Sequence, residues 1–290
     1  MDEFQAHAEA AAGAATESYE RHGQGGIPAF HQAVRAKSRS NSSPSVSVVI
    51  PTLNEARNLP IVLAELPGHV DEIVIVDGHS TDDTVAVARA ARPDATVITQ
   101  DGRGKGDALR CGFEAAGGDI LVMMDADGSA DPAEIPRFLE ALEEGADFAK
   151  GTRFAYHGGS SDITRTRQAG NRLLSATVNI LYGTSYTDLC YGYNAFWRRC
   201  LPTMRIDCSG FEVETLINIR IGRAGLNVTE VPSFERDRIH GESNLRTFRD
   251  GARVLRTIMR ERIAASPREI SFPHHHEQPH SQLDYATEGS

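Results

Sequence analysis

Asp125 and Asp127 stand one residue apart in DADGS, directly after the apolar run ILVMM at 120–124. Carboxylates at the end of a buried strand are costly unless a partner neutralises them. Alternate residues just past a strand can both reach one hard cation, so this spacing points to oxygen ligation of Mg2+ or Mn2+. Turn formation beside Gly128 is the plainer use of the same residues. Two other acidic stretches follow apolar runs: PTLNEARN at 51–58 and DGHSTDDT at 77–84. In open α/β sheets ligands bind at the carboxyl ends of the strands. Acidic ends gathered on one edge repel one another unless a cation or a donor-rich ligand sits among them, which favours the metal over the turn.

Basic residues supply the complementary chemistry. Lys105 lies in GRGKG at 102–106, a flexible loop whose backbone can approach phosphate oxygens. The loop lacks the Ser or Thr of a P-loop and does not space as GxGxxG. A surface loop before a helix is its plainer reading. Arg153 closes KGTR, and Arg165, Arg167 and Arg172 follow in DITRTRQAGNR. Guanidinium forks suit phosphate, although each arginine by itself also reads as solvated. RIHGESNLR at 238–246 adds Arg238, His240, Ser243 and Asn244 around a glycine. A hydroxyl acceptor would need a carboxylate base. Asp188, Glu212 and Glu214 are the candidates, the two glutamates near a helix start where one can serve the helix dipole.

Alternating strands and helices must position these groups. Short apolar runs at 46–50, 71–77, 96–99, 119–124 and 147–153 predict five strands. Helices are expected at 58–66, from 84, from 106 and after Asp131, with Asp82 and Asp131 as caps and Pro132 at a first helical position. Strands apolar throughout, separated by helices, predict a doubly wound, mainly parallel α/β sheet covered on both faces. In the segment 245–263, Leu245, Phe248, Ala252, Leu255, Met259 and Ile263 share one helical face, and a row of arginines lies ~90° away. Such a helix either rests on an anionic membrane surface or packs on the core with a solvated basic side.

Bulk properties narrow the classes. Hydrophobic residues make up 40% and charged residues 24% of 290, enough for one packed domain. The net charge of -10 argues against a general nucleic-acid binder. The four cysteines form no CxxC pair, as in a reduced cytosolic protein. No run approaches the length of a membrane span and no signal peptide is evident. The expected location is therefore cytoplasmic, or peripheral on the cytoplasmic face of a membrane. Residues 1–44 and 266–290 read as a disordered arm and a disordered His-bearing tail around a domain at 45–265.

The stretches VVIPTLNEARNL, IVIVDGHSTDDT, GRGKGDALRCGFEAAGGDILVMMDADGSADPAEI and KGTRF occur in this order. DLCYGYNAF, GFEVETL and RIHGESNLR follow them. The series resembles family 2 glycosyltransferases of the GT-A fold, most closely the dolichol- and polyprenyl-phosphate hexosyltransferase branch. That resemblance implies a nucleotide-sugar donor and a lipid-phosphate acceptor at a membrane surface. It implies that Pro51, Asn54, Glu55 and Asp77 line the nucleotide pocket and that Ser80 and Asp82 hold the loop beside it. Lys105 would approach the diphosphate, and Asp125 and Asp127, flanking Ala126, would hold magnesium or manganese. Arg153, Arg167, Arg238 and Ser243 would meet phosphate, and Asp188 the sugar or acceptor. Ser129 stands where that branch often has Gln. Transfer to a saccharide or small-molecule hydroxyl is the alternative. Nucleotidyl transfer fits poorly, because the first strand is not followed by a Gly-rich basic loop, and intact Asp125, Asp127 and Lys105 speak against a non-catalytic binder.

Overall fold

The computed structural model describes residues 43–242 and 247–264. The expectations for the terminal arm and tail, and for Ser243 and Asn244, lie outside the described residues. Seven strands form one sheet: β1 (Val46–Thr52), β2 (Glu72–Asp77), β3 (Thr96–Thr99), β4 (Ile120–Met123), β5 (Phe148–Thr152), β7 (Asn194–Trp197) and β8 (Val228–Pro232). Their order is β3-β2-β1-β4-β7-β5-β8. All pairings are parallel except those of β7, which runs antiparallel to β4 and β5. Two further strands, β6 (Gly159–Ser160) and β9 (Phe234–Glu235), pair in a small ribbon.

Side-chain alternation sends each strand into two cores. Val48, Ile50, Ile75 and Val122 face one layer with Leu59, Val62, Phe138 and Leu142. The helices there are α1 (Leu59–Glu65), α2 (Thr84–Ala91) and α4 (Ile135–Glu143). Val49, Val74, Val76, Leu121 and Met123 face the other, with Leu109, Phe113, Val213 and Ile217. Its helices are α3 (Lys105–Ala115), α6 (Leu201–Met204) and α7 (Val213–Arg223). Burial on both faces is why these strands are apolar without alternation. A third cluster, Val178, Tyr186, Leu189, Ile219, Val254 and Ile258, joins α5 (Arg165–Tyr182) and α8 (Thr247–Ile263) to α7.

The cap at Asp131 forms as the sequence predicts, whereas the N-cap of α2 is Asp83, whose side chain makes no capping bond. Asp131 accepts from the Ala133 N–H and opens a 3-10 turn at Pro132–Glu134 before α4. Asp82 accepts from the Thr84 N–H at 3.1 Å. On α8, however, the predicted apolar face is not the buried one. Leu255, Met259 and Ile263 are exposed, and the helix buries Val254 and Ile258 together with Asp250, Thr257 and Glu261. Pairing makes this tolerable, since Glu261 meets Arg220 at 2.8 Å and Arg223 at 3.4 Å.

Helix α3 carries Lys105 and sits hard against the sheet at Gly112. A Cβ there would overlap methyl groups of Val49 and Val76. Replacing Gly112 with Ala is expected to lower stability by about 1–3 kcal/mol, read by denaturant unfolding. A variant as stable as the parent would show that the helix can lift without loss.

Candidate functional site

The carboxyl ends of the parallel strands open into a cavity of about 620 Å3. It lies where the sheet order turns back on itself around β1 and β4, the usual binding crevice of this architecture. Pro51 and Glu55 line it from the end of β1, and Asp125, Ala126, Asp127 and Ser129 from the end of β4. Lys105, Arg153, Arg167, Glu214 and Arg238 complete the polar wall. Gly128 has φ 81°, and Ile239 packs where a Cβ would stand, so the turn after Asp127 requires glycine.

Two side-chain cations reconcile the gathered carboxylates. Lys105 Nζ lies 2.6 Å from Asp125 and 2.7 Å from Glu214. Arg238 donates to Glu55 at 2.8 Å and lies 3.0 Å from Asp127. Burial opposes the charge of Lys105, but the two carboxylates more than offset it and hold its pKa above the ordinary value. For Glu214 burial is the larger influence and raises its pKa, which Lys105 counteracts only in part. The segment bearing Arg238 is stitched to the Asp-x-Asp turn by backbone bonds from Ile239 to Asp127 at 3.1 Å and from Arg236 to Ser129 at 2.8 Å.

Asn54 and Asp77 are not part of the cavity wall. Both are used to brace the adjoining loops. Asn54, at φ 58°, accepts from the Thr81 N–H at 2.8 Å and donates its own N–H to Ser80 Oγ at 2.9 Å. Asp77 accepts from the His79 and Ser80 N–H groups. Asp82 accepts from the Ala56 N–H at 3.2 Å, tying the β1 loop to the β2 loop. Burial acts against its charge, yet these hydrogen bonds leave its pKa lowered.

Asp188 also departs from expectation. It is fully buried and does not line the cavity. Its oxygens accept from Arg153 at 2.7 and 3.0 Å and from Asn171 at 3.0 Å. Burial would raise its pKa, but Arg153 overrides this and lowers it. These bonds tie Asp188 to Arg153 and Asn171 behind the cavity wall. Arg153 in turn gives its remaining nitrogen to both oxygens of Glu235 at 3.0 Å and stacks on Tyr191. No local pattern marks Glu235 in the sequence. Arg167 lies at the wall and reaches Asp162 at 3.3 Å, whereas Arg165 and Arg172 are exposed and outside the lining. His240 shares its ring nitrogen with Arg57 at 3.4 Å.

Behind this wall Lys150 is wholly buried, and its ammonium donates to the Gly151 carbonyl at 3.1 Å. Desolvation depresses its pKa, with Asp188 and Glu230 acting the other way.

Among the described residues no three His, Cys, Asp or Glu side chains gather as a metal cage. Asp125 and Asp127 offer two carboxylates from one turn, the donor set Mg2+ accepts when substrate phosphates and water complete the shell. The residues present therefore fit such an ion.

The family model for glycosyl transferase family 2 matches residues 47–203. The chain belongs to glycosyl transferase family 2. The glycosyltransferase AglJ of Haloferax volcanii is 31% identical over 77% of this chain and 74% of its own length. An undecaprenyl-phosphate mannosyltransferase of Micrococcus luteus is 34% identical over 69% of this chain and 87% of its own. Glucosyl-3-phosphoglycerate synthase from Mycobacterium tuberculosis, crystallised with Mn2+, UDP-glucose and phosphoglyceric acid, superposes with a TM-score of 0.62. That match has 25% identity and spans 85% of this chain and 87% of the other. This glycosyltransferase thus has the mainly parallel sheet anticipated from its sequence, made mixed by the antiparallel β7.

Two outcomes check the buried framework. Asp188→Asn is expected to cost about 3–5 kcal/mol in denaturant unfolding, because Arg153 loses its buried counter-charge. Wild-type stability with lost activity would instead put Asp188 in the chemistry. Lys150 has a folded pKa below its ordinary 10.5, so the unfolded chain binds that proton more tightly. Stability should rise with pH from the depressed value up to 10.5, and Lys150→Met should remove that rise. Parallel stability–pH curves for the two proteins would refute the assignment.

Proposed function

We propose that this glycosyltransferase moves a hexose from a nucleotide-diphosphate sugar to a polyprenyl phosphate, with inversion at the anomeric carbon. The observation that carries the reading is the pairing of the buried carboxylates in the cavity wall. Glu55, Glu214, Glu235 and Asp250 are each within ion-pair reach of Arg238, Lys105, Arg153 and Arg253 respectively. A hydroxyl acceptor needs a free base, whereas a phosphate monoester is already ionised at neutral pH. The mannosyltransferase relative is named for an acceptor of that kind. Leu173 and Ile180 on α5, and Leu255, Met259 and Ile263 on α8, are exposed on helices that also line the cavity, as a protein working on a lipid at a membrane surface would require. No helix among the described residues is long and apolar enough to cross a membrane, so association would be peripheral.

Asp125 and Asp127 would hold Mg2+ or Mn2+, which when bound supplies charge stabilisation to the leaving diphosphate. Lys105 adds a buried positive charge on the same side of the cavity, held upright by Glu214. Arg238 and Arg167 offer guanidinium forks to phosphate oxygens at the opening. Glu214, its pKa raised by burial, is held by Lys105, so a hydroxyl acceptor would have to draw on the exposed Asp237 or Glu242 at the cavity wall instead.

The test is nucleotide diphosphate release from a panel of nucleotide sugars with Mn2+, with and without a short polyprenyl phosphate. Release that rises only with the lipid phosphate is expected, and Asp127→Ala should lower it by about 100-fold or more. Release stimulated instead by a hydroxyl acceptor would replace this reading with the alternative.

A further inference from the structure

A second cavity, of about 550 Å3, borders the loop that carries Lys105. Gly102 and Arg103 line it, whereas Gly104 and Lys105 line the cavity at the strand ends. Helix α8 is divided in the same way, with Gly251 and Val254 on the first cavity and Arg253, Arg256 and Arg260 on the second. The loop is fastened to the Cys208–Ser209 segment behind it. The Gly106 N–H donates to the Ser209 carbonyl at 3.0 Å, and a Cβ on Gly104 or Gly106 would overlap the backbone there.

Five arginines face this second cavity: Arg103 and Arg110 beside and on α3, and Arg253, Arg256 and Arg260 on α8. The three on α8 are spaced by three and four residues, so they share one helical face. They belong to the arginine row of the sequence and have no part in the site described above. Only three carboxylates share the wall, in a chain whose net charge is -10. Asp107 is engaged by Arg110 at 2.9 Å, and Asp207 by Arg260 at 2.7 Å and by Arg220 at 2.8 Å. Glu212 accepts from the Gly210 N–H at 3.3 Å. Much donor capacity remains. Arg260 turns Nη2 alone to carboxylates, and Arg253 meets Asp250 at 3.5 Å. Arg103 and Arg256 are exposed and make no side-chain hydrogen bond or ion pair among the described residues.

Guanidinium forks from two elements converging on one hollow suit phosphate oxygens, which accept two N–H bonds at a time. The volume lies within the range of small-molecule sites, about 300–1,000 Å3, so the hollow has room for more than a single bare ion. We propose that this second cavity binds a phosphomonoester or diphosphate group, which bridges Arg103 to Arg256 and clamps the GRGKG loop against α8. The site is separate from the one assigned to donor and acceptor, and it does not rest on the proposed transfer. A soluble phosphate compound and an anionic lipid headgroup offer the same chemistry, the second because Leu255 and Met259 are exposed on the same helix.

Calorimetric titration of the full chain with inorganic pyrophosphate tests the site, beside the double variant Arg103→Gln with Arg256→Gln. Both side chains are exposed, and neither lines the first cavity. Pyrophosphate affinity should fall about tenfold or more in the double variant. It should change about twofold at most in Arg262→Gln, an exposed arginine of α8 outside both cavities. Hydrogen exchange of the amides at 102–106 should slow with pyrophosphate in the parent and not in the double variant. A second arm measures co-sedimentation with phosphatidylcholine vesicles, with and without phosphatidic acid. Vesicle binding that needs phosphatidic acid and is lost in the double variant, without pyrophosphate binding, assigns the site to a lipid headgroup. Pyrophosphate binding lost in the double variant assigns it to a soluble ligand. Equal binding by parent and double variant, or no binding in either arm, overturns the proposal. So does an equal loss in Arg262→Gln, which would reveal general surface charge only.

Discussion

Two cations hold the functional edge of this protein together. Lys105 bridges Asp125 and Glu214, and Arg238 bridges Asp127 and Glu55. The ends of β1 and β4 and the start of α7 would otherwise bring four carboxylates into one partly buried space, where mutual repulsion is poorly screened. Each cation reaches its carboxylates from a different element: Lys105 from the first residue of α3, Arg238 from the segment after β9. The edge is therefore assembled only when the first and second halves of the chain meet across the sheet. The same pairs hold Asp125 and Asp127 at the cavity wall, where a divalent ion with a donor diphosphate would need them.

A second charged layer stands behind the first. Arg153 is shared by Asp188 and Glu235, and Asp188 is shared in turn by Asn171 of α5. Buried ion pairs contribute little net stability, but breaking one leaves an uncompensated charge. The layer thus acts as a locator: it joins the end of β5, the end of β9 and helix α5 at one point. Lys150 shows the cost of this polar interior, since its ammonium is fully buried with one carbonyl acceptor.

Much of the fold was legible because it follows from local pattern. The five predicted strands all occur, within a residue or two, and Asp131 serves as a cap. Apolar runs bounded by Gly, Pro and Asp report burial on both faces directly. Strands β7 and β8 were not legible. Both are short, and NAFW and VTEVP carry no run distinctive enough to separate a strand from a loop. The antiparallel insertion of β7 between β4 and β5 is a property of long-range pairing that periodicity does not encode. The outer face of α8 shows the opposite failure. Its stripe of Leu255, Met259 and Ile263 is a true helical pattern, but the helix buries the neighbouring face because Glu261 finds Arg220 and Arg223 there.

The candidate site divides in the same way. Sequence alone determined the residue types gathered at the strand ends, the Asp-x-Asp turn with its obligatory glycine, and the lysine in a glycine loop. These are contiguous features whose chemistry depends on spacing along the chain. Only the tertiary structure decided their partners: that Asn54 holds the loop at Thr81, that Asp188 meets Arg153, that Lys105 meets Asp125 and Glu214, and that Arg238 meets Glu55 and Asp127. A charged or amide group is defined by what satisfies it, and here those partners lie tens to more than a hundred residues away in the chain, brought close by the sheet rather than by any local pattern.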